Sequence, residues 1–393
     1  MLKNVCTHAI SSAAIKEQKM PQEKRTKICC VFNYASFYRR PIYSKMDTML
    51  DCDFFFGDTA FDPIKPFDAT ALKGFKGYIK AKKTGIVGHI WHSGIRKIFK
   101  KKYTHYILIG NPKYIVNWLI IVYAHLTGKK VYLWTHGVKK NMRGFFNRLY
   151  HKLFYTGVTG NLMYNRYNCQ YMEELGCKSD TLHIIHNSLD TEAQTSIYNR
   201  LRPTNIYTEH FGNTAPTIIY IGRIQKSKRI DQILHAIKLL KEKGHTINAI
   251  LVGASVDDDT THTLTRQLGI ENQVWIYGPS FDEEKNAELL YNAAVCVSPS
   301  NIGLTAVHSL TYGTPVITND NFNGHGPEFE AITDGITGSF FKENDTADLA
   351  DKIEYWCNIA HEERQRCREA ARNTVESEWS VAYQTALLTK LFN

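Results

Sequence analysis

Residues 105–137 read HYILIGNPKYIVNWLIIVYAHLTGKKVYLWTHG. An apolar run ends at Gly110, a long apolar segment follows Pro112 and stops at Gly128, and a second apolar run ends at Gly137. Proline near a first turn and glycine past a last turn are helix punctuation. Strand, helix, strand in that order predicts a βαβ unit, and a parallel sheet follows from it.

Working outward, KICCVFNY (27–34) opens the same half as a short strand with a loop at Ala35, and TLHIIHNSLD (181–190) closes it. Residues 191–214 are polar without clear periodicity and are predicted to be a linker. A second alternation starts at TIIYIGR (217–223), followed by a helix with Ile230, Ile233, Leu234 and Ile237 on one face. NAILVG, THTLTRQLG, QVWIYG, EEKNAELLYNAA, VCVSPS, a helix after Gly303, PVIT and GSFF continue it. The expectation is α/β: a flexible arm (1–26), a Rossmann-like domain (27–190), the linker (191–214), a second Rossmann-like domain (215–370) and a C-terminal crossing helix (371–393).

A chain of 393 residues suits two such domains. With 43% apolar and 22% charged residues the composition is that of a globular protein. Nine scattered cysteines without a CxxC pair fit reduced thiols in the cytoplasm. The first 26 residues are too polar for a signal-peptide core, and Met20 is a possible alternative start. YIVNWLIIVYAHL is broken by Asn117 and His125, too short to span a bilayer, and predicted to be a buried helix.

Charge is uneven. Residues 69–172 hold no Asp or Glu against 19 Lys and Arg, so with a total of +10 the remainder carries −9. That predicts an anionic partner for one side only. KGFKGYIKAKK (73–83) and IRKIFKKKY (95–103) interleave cations with Phe75, Tyr78, Ile79, Ile98, Phe99 and Tyr103, the mixture expected to meet an anionic membrane. A solvated basic face is the alternative.

Parallel sheets bind ligands at the carboxyl ends of their strands. There, Gly222 and Arg223 precede Lys228, Gly253 follows NAILVG, and Asn301, Ile302 and Gly303 follow VCVSPS. Arg223 and Lys228, with the amides of Leu304 and Thr305, compose a diphosphate clamp; the alternative places both cations on a solvated helix start. In the first half, Tyr38, Arg39, Arg40 and Asn111 are acceptor-side candidates, unless Arg39 and Arg40 belong to a solvated loop. His89, His92, His105 and His125 read as packed or solvated. HEER (361–364) lacks the second histidine of a zinc helix, and DCD (51–53) reads as an ordinary loop, as do Asp257, Asp258 and Asp259.

Six segments in order resemble the retaining glycosyltransferases of family four, which have the GT-B fold: LWTHG, IIHNSLD, GRIQKSK, NIGLTAVHSLTYGTPVIT, FEAITDGITGSFF and EWSVAYQTALL. The resemblance implies sugar transfer from a nucleotide diphosphate donor with retention. It implies that Arg223 and Lys228 neutralise the leaving diphosphate and that His136 sits beside the reacting sugar. It needs no metal, and base contacts, largely from backbone, fall near Tyr277 to Ser280. In register, the family's two donor-loop glutamates fall on Ser300 and His308, and its later carboxylate falls on Glu330. Ser300, Asn301 and His308 are expected to grip the hydroxyls instead, with Glu328 or Glu330 reaching the sugar. The expected acceptor is a glycan or lipid-linked molecule, in surface polysaccharide synthesis, with the protein peripheral on the inner face of the membrane. Nucleic-acid glycosylation and a non-catalytic nucleotide-binding partner subunit are the alternatives, and nucleic acid is the weaker partner.

Overall fold

The computed structural model describes residues 26–59, 65–85, 88–140, 142–256 and 260–392. The expectations for the N-terminal arm and for Asp257, Asp258 and Asp259 lie outside the described residues. Two sheets are present.

The first sheet contains β1 (Ile28–Phe32), β2 (Cys52–Gly57), β3 (Phe75–Lys83), β4 (Ile90–Ser93), β5 (His105–Ile109), β6 (Lys130–Thr135), β7 (Gly160–Met163) and β8 (Leu182–Ile184). Their order is β4-β3-β2-β1-β5-β6-β7-β8, parallel except for β4. The second contains β9 (Thr217–Ile221), β10 (Asn248–Val252), β11 (Val274–Gly278), β12 (Val295–Val297), β13 (Val316–Asn319) and β14 (Gly338–Phe341). Its order is β11-β10-β9-β12-β13-β14, entirely parallel. Central strands such as β1, β9 and β10 are buried along their whole length. Helices cover both faces, which is why these strands read as unbroken apolar runs.

DCD is not a loop. β2 begins at Cys52, and Asp53 is almost fully buried, bridged by Lys27 at 2.8 Å, by Lys102, and by the Tyr103 hydroxyl at 2.8 Å. Burial alone would raise its carboxyl, but the hydrogen bonds from Lys102, Lys27 and Tyr103 prevail and hold it at about 2. Three of the residues expected at a lipid boundary also turn inward: Ile79, Ile98 and Tyr103 pack in the core of the first domain. The expected buried helix, Ile115–Thr127, buries Val116, Ile120 and Ile121 but leaves Leu119, Val122 and Leu126 exposed. Among the described residues no helix is long and apolar enough to cross a membrane.

The segment expected as a linker forms two short helices, Thr191–Tyr198 and Ile206–Phe211, whose Ile197 and Tyr207 join the core of the second domain. The crossing helix starts later than position 371, which lies inside helix His361–Glu378. Trp379 then stacks on His186 of the first domain at 4.0 Å, and helix Val381–Phe392 buries Val381, Leu388 and Phe392 against Ile42 and Tyr43. The chain thus ends on the domain where it began.

Candidate active site between the two sheets

The strand order of the second sheet reverses between β9 and β12, and a crevice opens at their carboxyl ends. Two backbones meet there so closely that a Cβ on Gly253 would lie 1.7 Å from the Gly222 carbonyl oxygen. Only glycine fits, and the space it leaves is a pocket of about 340 Å³ whose lining includes Gly222, Arg223, Gly253, Thr305 and His308. Leu304 also lines it, and Pro279, Ser280 and Phe281 form the far wall. Tyr277, expected near a base, is not in this wall; it packs on Trp275 at 5.1 Å.

Arg223 is exposed on the pocket, and Lys228 turns back to donate to the Asn301 carbonyl. Burial lowers the Lys228 ammonium, and the nearby Arg223 charge lowers it further. An anion between them would relieve that repulsion. The loop bearing Asn301 is braced from beneath by a residue that sequence reasoning passed over. His325 Nδ1 accepts from the Ile302 amide at 3.1 Å while Nε2 lies 2.9 Å from the Asn319 carbonyl oxygen, and Gly326 N donates to Ile302 O at 2.7 Å. Those two partners place the proton on Nε2. Asn301 itself adopts φ +47°, a left-handed conformation that asparagine tolerates. Thr305 Oγ1 donates to the Ile221 carbonyl at 3.1 Å, tying the helix Thr305–Thr311 to the end of β9.

The carboxylate missing from the helix returns from another element. His308 Nε2 lies 2.9 Å from Oε1 of Glu283, which also accepts from the Tyr312 hydroxyl at 2.7 Å and from Gln194 at 2.8 Å. Burial would raise the Glu283 carboxyl, yet His308, Tyr312 and Gln194 together hold it at about 2. An anionic Glu283 takes the proton-bearing Nε2, which leaves Nδ1 as the ring's other polar atom; in the neutral tautomer that nitrogen is a single acceptor. Glu283 was invisible in sequence as a site residue: it opens helix Glu283–Asn292, where an acidic first turn is ordinary.

The two candidate carboxylates after the donor loop part company. Glu328 is buried beside the glycines: a Cβ on Gly326 would lie 2.7 Å, and one on Gly303 3.7 Å, from its Oε2. Asn187 of the first domain donates to its Oε1 at 2.8 Å. Burial raises the Glu328 carboxyl, offset in part by Asn187 and, at longer range, by Arg39 and Lys228. Glu330, expected in the donor site, instead accepts from the backbone amides of Arg166, at 2.8 Å, and Tyr167. It joins the domains. The carboxylate that lies beside the Gly303 loop is Glu328.

Across the cleft, the first domain holds a cavity of about 870 Å³ lined by Tyr38, Arg39, Asn111 and His136, among others. Arg40 is not part of it; it points toward Asp190 at 3.9 Å and over the Phe37 ring. His136 meets the Tyr164 ring at 4.4 Å, and its backbone carbonyl accepts from Asn168 at 2.8 Å. The His136 ring is solvent-exposed on the cleft, yet the protein surrounding it, with Arg39 and Lys139 adding to the effect, lowers the imidazole to about 4, which favours its neutral form. Among the described residues no cluster of three or more His, Cys, Asp or Glu could hold a metal.

Residues 203–374 match the family described as glycosyl transferases group 1. A protein of the cps region of Klebsiella pneumoniae is 28% identical over 218 residues, 53% of this chain and 55% of that protein. The capsular polysaccharide biosynthesis glycosyltransferase CapM of Staphylococcus aureus is 26% identical over 163 residues, 37% of this chain and 40% of CapM. The chain thus spans about half the length of the curated relatives it matches. Among solved structures, Anabaena HepE in complex with UDP superposes with a TM-score of 0.70 at 13% identity, covering 93% of this chain and 99% of HepE. The two facing parallel-sheet domains are the GT-B fold.

Proposed function

We propose that the protein is a glycosyltransferase that moves a sugar from a nucleoside diphosphate donor to a glycan or lipid-linked acceptor, in the synthesis of a surface polysaccharide. The observation that carries this is Arg223 exposed on a pocket lined by Gly222 and Gly253, with Lys228 near enough for the two charges to repel. The matching family, the capsule-related relatives and the UDP held by HepE support the same reading.

In this mechanism the nucleoside lies against Pro279, Ser280 and Phe281, with His308 accepting from a ribose hydroxyl. Arg223 and Lys228 stabilise the charge that develops on the departing diphosphate. Transfer proceeds with retention and without a protein nucleophile: Ser300 stands at the loop position, and the leaving phosphate oxygen takes the acceptor proton. Glu328, rather than Glu330, is placed to hold donor sugar hydroxyls. Neutral His136 accepts or donates a hydrogen bond beside the reacting sugar without adding charge. No metal is invoked, because the two cations do the neutralising. The protein acts from the cytoplasmic face of the membrane, as a peripheral protein.

The test is release of nucleoside diphosphate from a panel of nucleotide sugars. Turnover that disappears in Arg223→Ala and Lys228→Ala supports the assignment; the same turnover in both variants as in the parent defeats it.

A further inference from the structure

Helix Phe145–Thr156 has two different sides. Asn147, His151 and Tyr155, with Tyr150, line the first-domain cavity. Residues two positions away lie about 200° round a helix, and there the side chains are apolar and face outward: Phe145 is 75%, Leu149 39% and Leu153 56% exposed, with Phe146 beside them at 82%. The neighbouring helix Ile115–Thr127 packs on this one through Trp118, 5.2 Å from Tyr150 and 5.1 Å from Phe154, and exposes Leu126 at 81% and Val122 at 55%. Clustered exposed aromatics and leucines of this kind mark an interaction site.

The cavity beneath is as one-sided in charge as the helix is in polarity. Arg39, Lys83, Lys113, His89, His136 and His151 are in its lining, and among the described residues no Asp or Glu is. Arg39 is 7% exposed. Its guanidinium bonds only tyrosine hydroxyls, Tyr43 at 3.5 Å and Tyr164, and sits 5.4 to 5.6 Å from the rings of Tyr38, Trp134 and Tyr164. Among the described residues no carboxylate lies within 4.0 Å of it. Glu328 meets this buried charge only at longer range, and the planar fork of a guanidinium matches phosphate oxygens.

We propose that the acceptor is an amphiphile whose phosphate enters this cavity while helix Phe145–Thr156 rests on an anionic membrane. This deepens the transferase reading and rests on it. Arg143, Arg148 and Lys152 on the exposed side supply the attraction to anionic head groups. Glu173 and Glu174 are the first acids in the following sequence, and Arg148 already donates to the Glu174 carbonyl, so this cationic face is not neutralised within its own helix. The surface differs from the one expected around Ile79, Ile98 and Tyr103, whose apolar members are buried.

The test uses the full chain in two arms, with UDP binding measured on every sample. In the first, sedimentation with vesicles of phosphatidylglycerol and phosphatidylcholine in equal parts is compared with phosphatidylcholine alone. Binding should require the anionic lipid, fall with salt, and drop by roughly tenfold or more in the surface double variant Phe145→Ser/Phe146→Ser. In the second, dodecyl phosphate is titrated against inorganic phosphate. Arg39→Lys, and the exposed Lys113→Gln if Arg39→Lys does not fold, should weaken dodecyl phosphate by several-fold while UDP affinity holds. Equal sedimentation with both vesicle types, or none with either, overturns the membrane half. Inorganic phosphate binding as tightly as dodecyl phosphate, or unchanged dodecyl phosphate affinity in the pocket variants, overturns the lipid-phosphate acceptor. In either case retained UDP binding leaves the transferase reading standing; a chain that binds no nucleotide at all would instead remove that reading.

Discussion

Glu283 Oε1 lies 2.9 Å from Nε2 of His308, so the carboxylate sits behind the imidazole instead of in the pocket. The two residues act as one unit. Tyr312 and Gln194 hold the same oxygen, and together the three donors keep Glu283 ionised far into acid.

His308→Glu is therefore expected to weaken nucleotide binding, by about tenfold, because it sets two carboxylates against each other. Pairing it with Glu283→Gln removes the repulsion and should recover most of the affinity. Isothermal titration with UDP across the four combinations measures the coupling directly. Tighter binding in the single variant would mean that Glu283 does not govern this position.

Glu328 and Glu330 should separate cleanly. Glu328→Gln removes a buried carboxylate beside Gly303 and should lower kcat by tenfold or more with little change in UDP affinity. Glu330→Gln loosens the tie to the Arg166 and Tyr167 amides. Its effect should be on the approach of the domains, read as a rise in solution radius of gyration and a drop in kcat. The reverse pattern would return Glu330 to the donor site.

Buried histidines make the fold acid-sensitive. His92 is 1% exposed, stacked on Tyr114 at 5.2 Å, and burial, only partly countered by Asp58, holds it at about 4. Its folded value is below the ordinary 6.5, so the unfolded chain binds the proton first. Stability is complete above about 6.5 and declines as pH falls toward 4. Neither ring nitrogen has a partner, so His92→Phe should keep the stack and remove a contribution on the order of 2–3 kcal/mol from that decline. Urea midpoints at pH 7 and pH 5 measure it; equal slopes in both proteins would contradict the account.

The second domain was almost fully legible in sequence, for a reason visible in β9 to β14. β9, β10, β12 and β13 are short runs buried along their length, β14 nearly so and the edge strand β11 half-buried, and most are followed closely by a glycine or by the polar residues of a loop. The first domain was not. β2 carries Asp53 at its second position, and that charge is compensated by Lys27 and Lys102, far away in sequence. β3 and β4 form a cationic antiparallel edge whose alternation is weak. Of the motif positions, Gly222, Arg223, Leu304 and Thr305 do line the pocket, since local chain geometry dictates them, whereas Lys228 turns to the Asn301 carbonyl. Glu283 and His325 escaped because each acts on a residue from another element. Glu328 and Glu330 were both named, but their two-residue spacing could not say which of them faces the loop of Gly303 and which ties to the Arg166 and Tyr167 amides.

The central claim is a diphosphate clamp made of Arg223 and Lys228, and titration of UDP into the parent, Arg223→Ala and Lys228→Ala tests it most directly. Loss of a charged hydrogen bond costs about 1.5–3 kcal/mol, so each variant should bind UDP roughly 10- to 100-fold more weakly while uridine affinity stays level. Arg223 is exposed on the pocket and Lys228 is half-buried outside the hydrophobic core, so melting temperatures should stay close to the parent's. UDP affinity equal to the parent's in both folded variants would contradict the account.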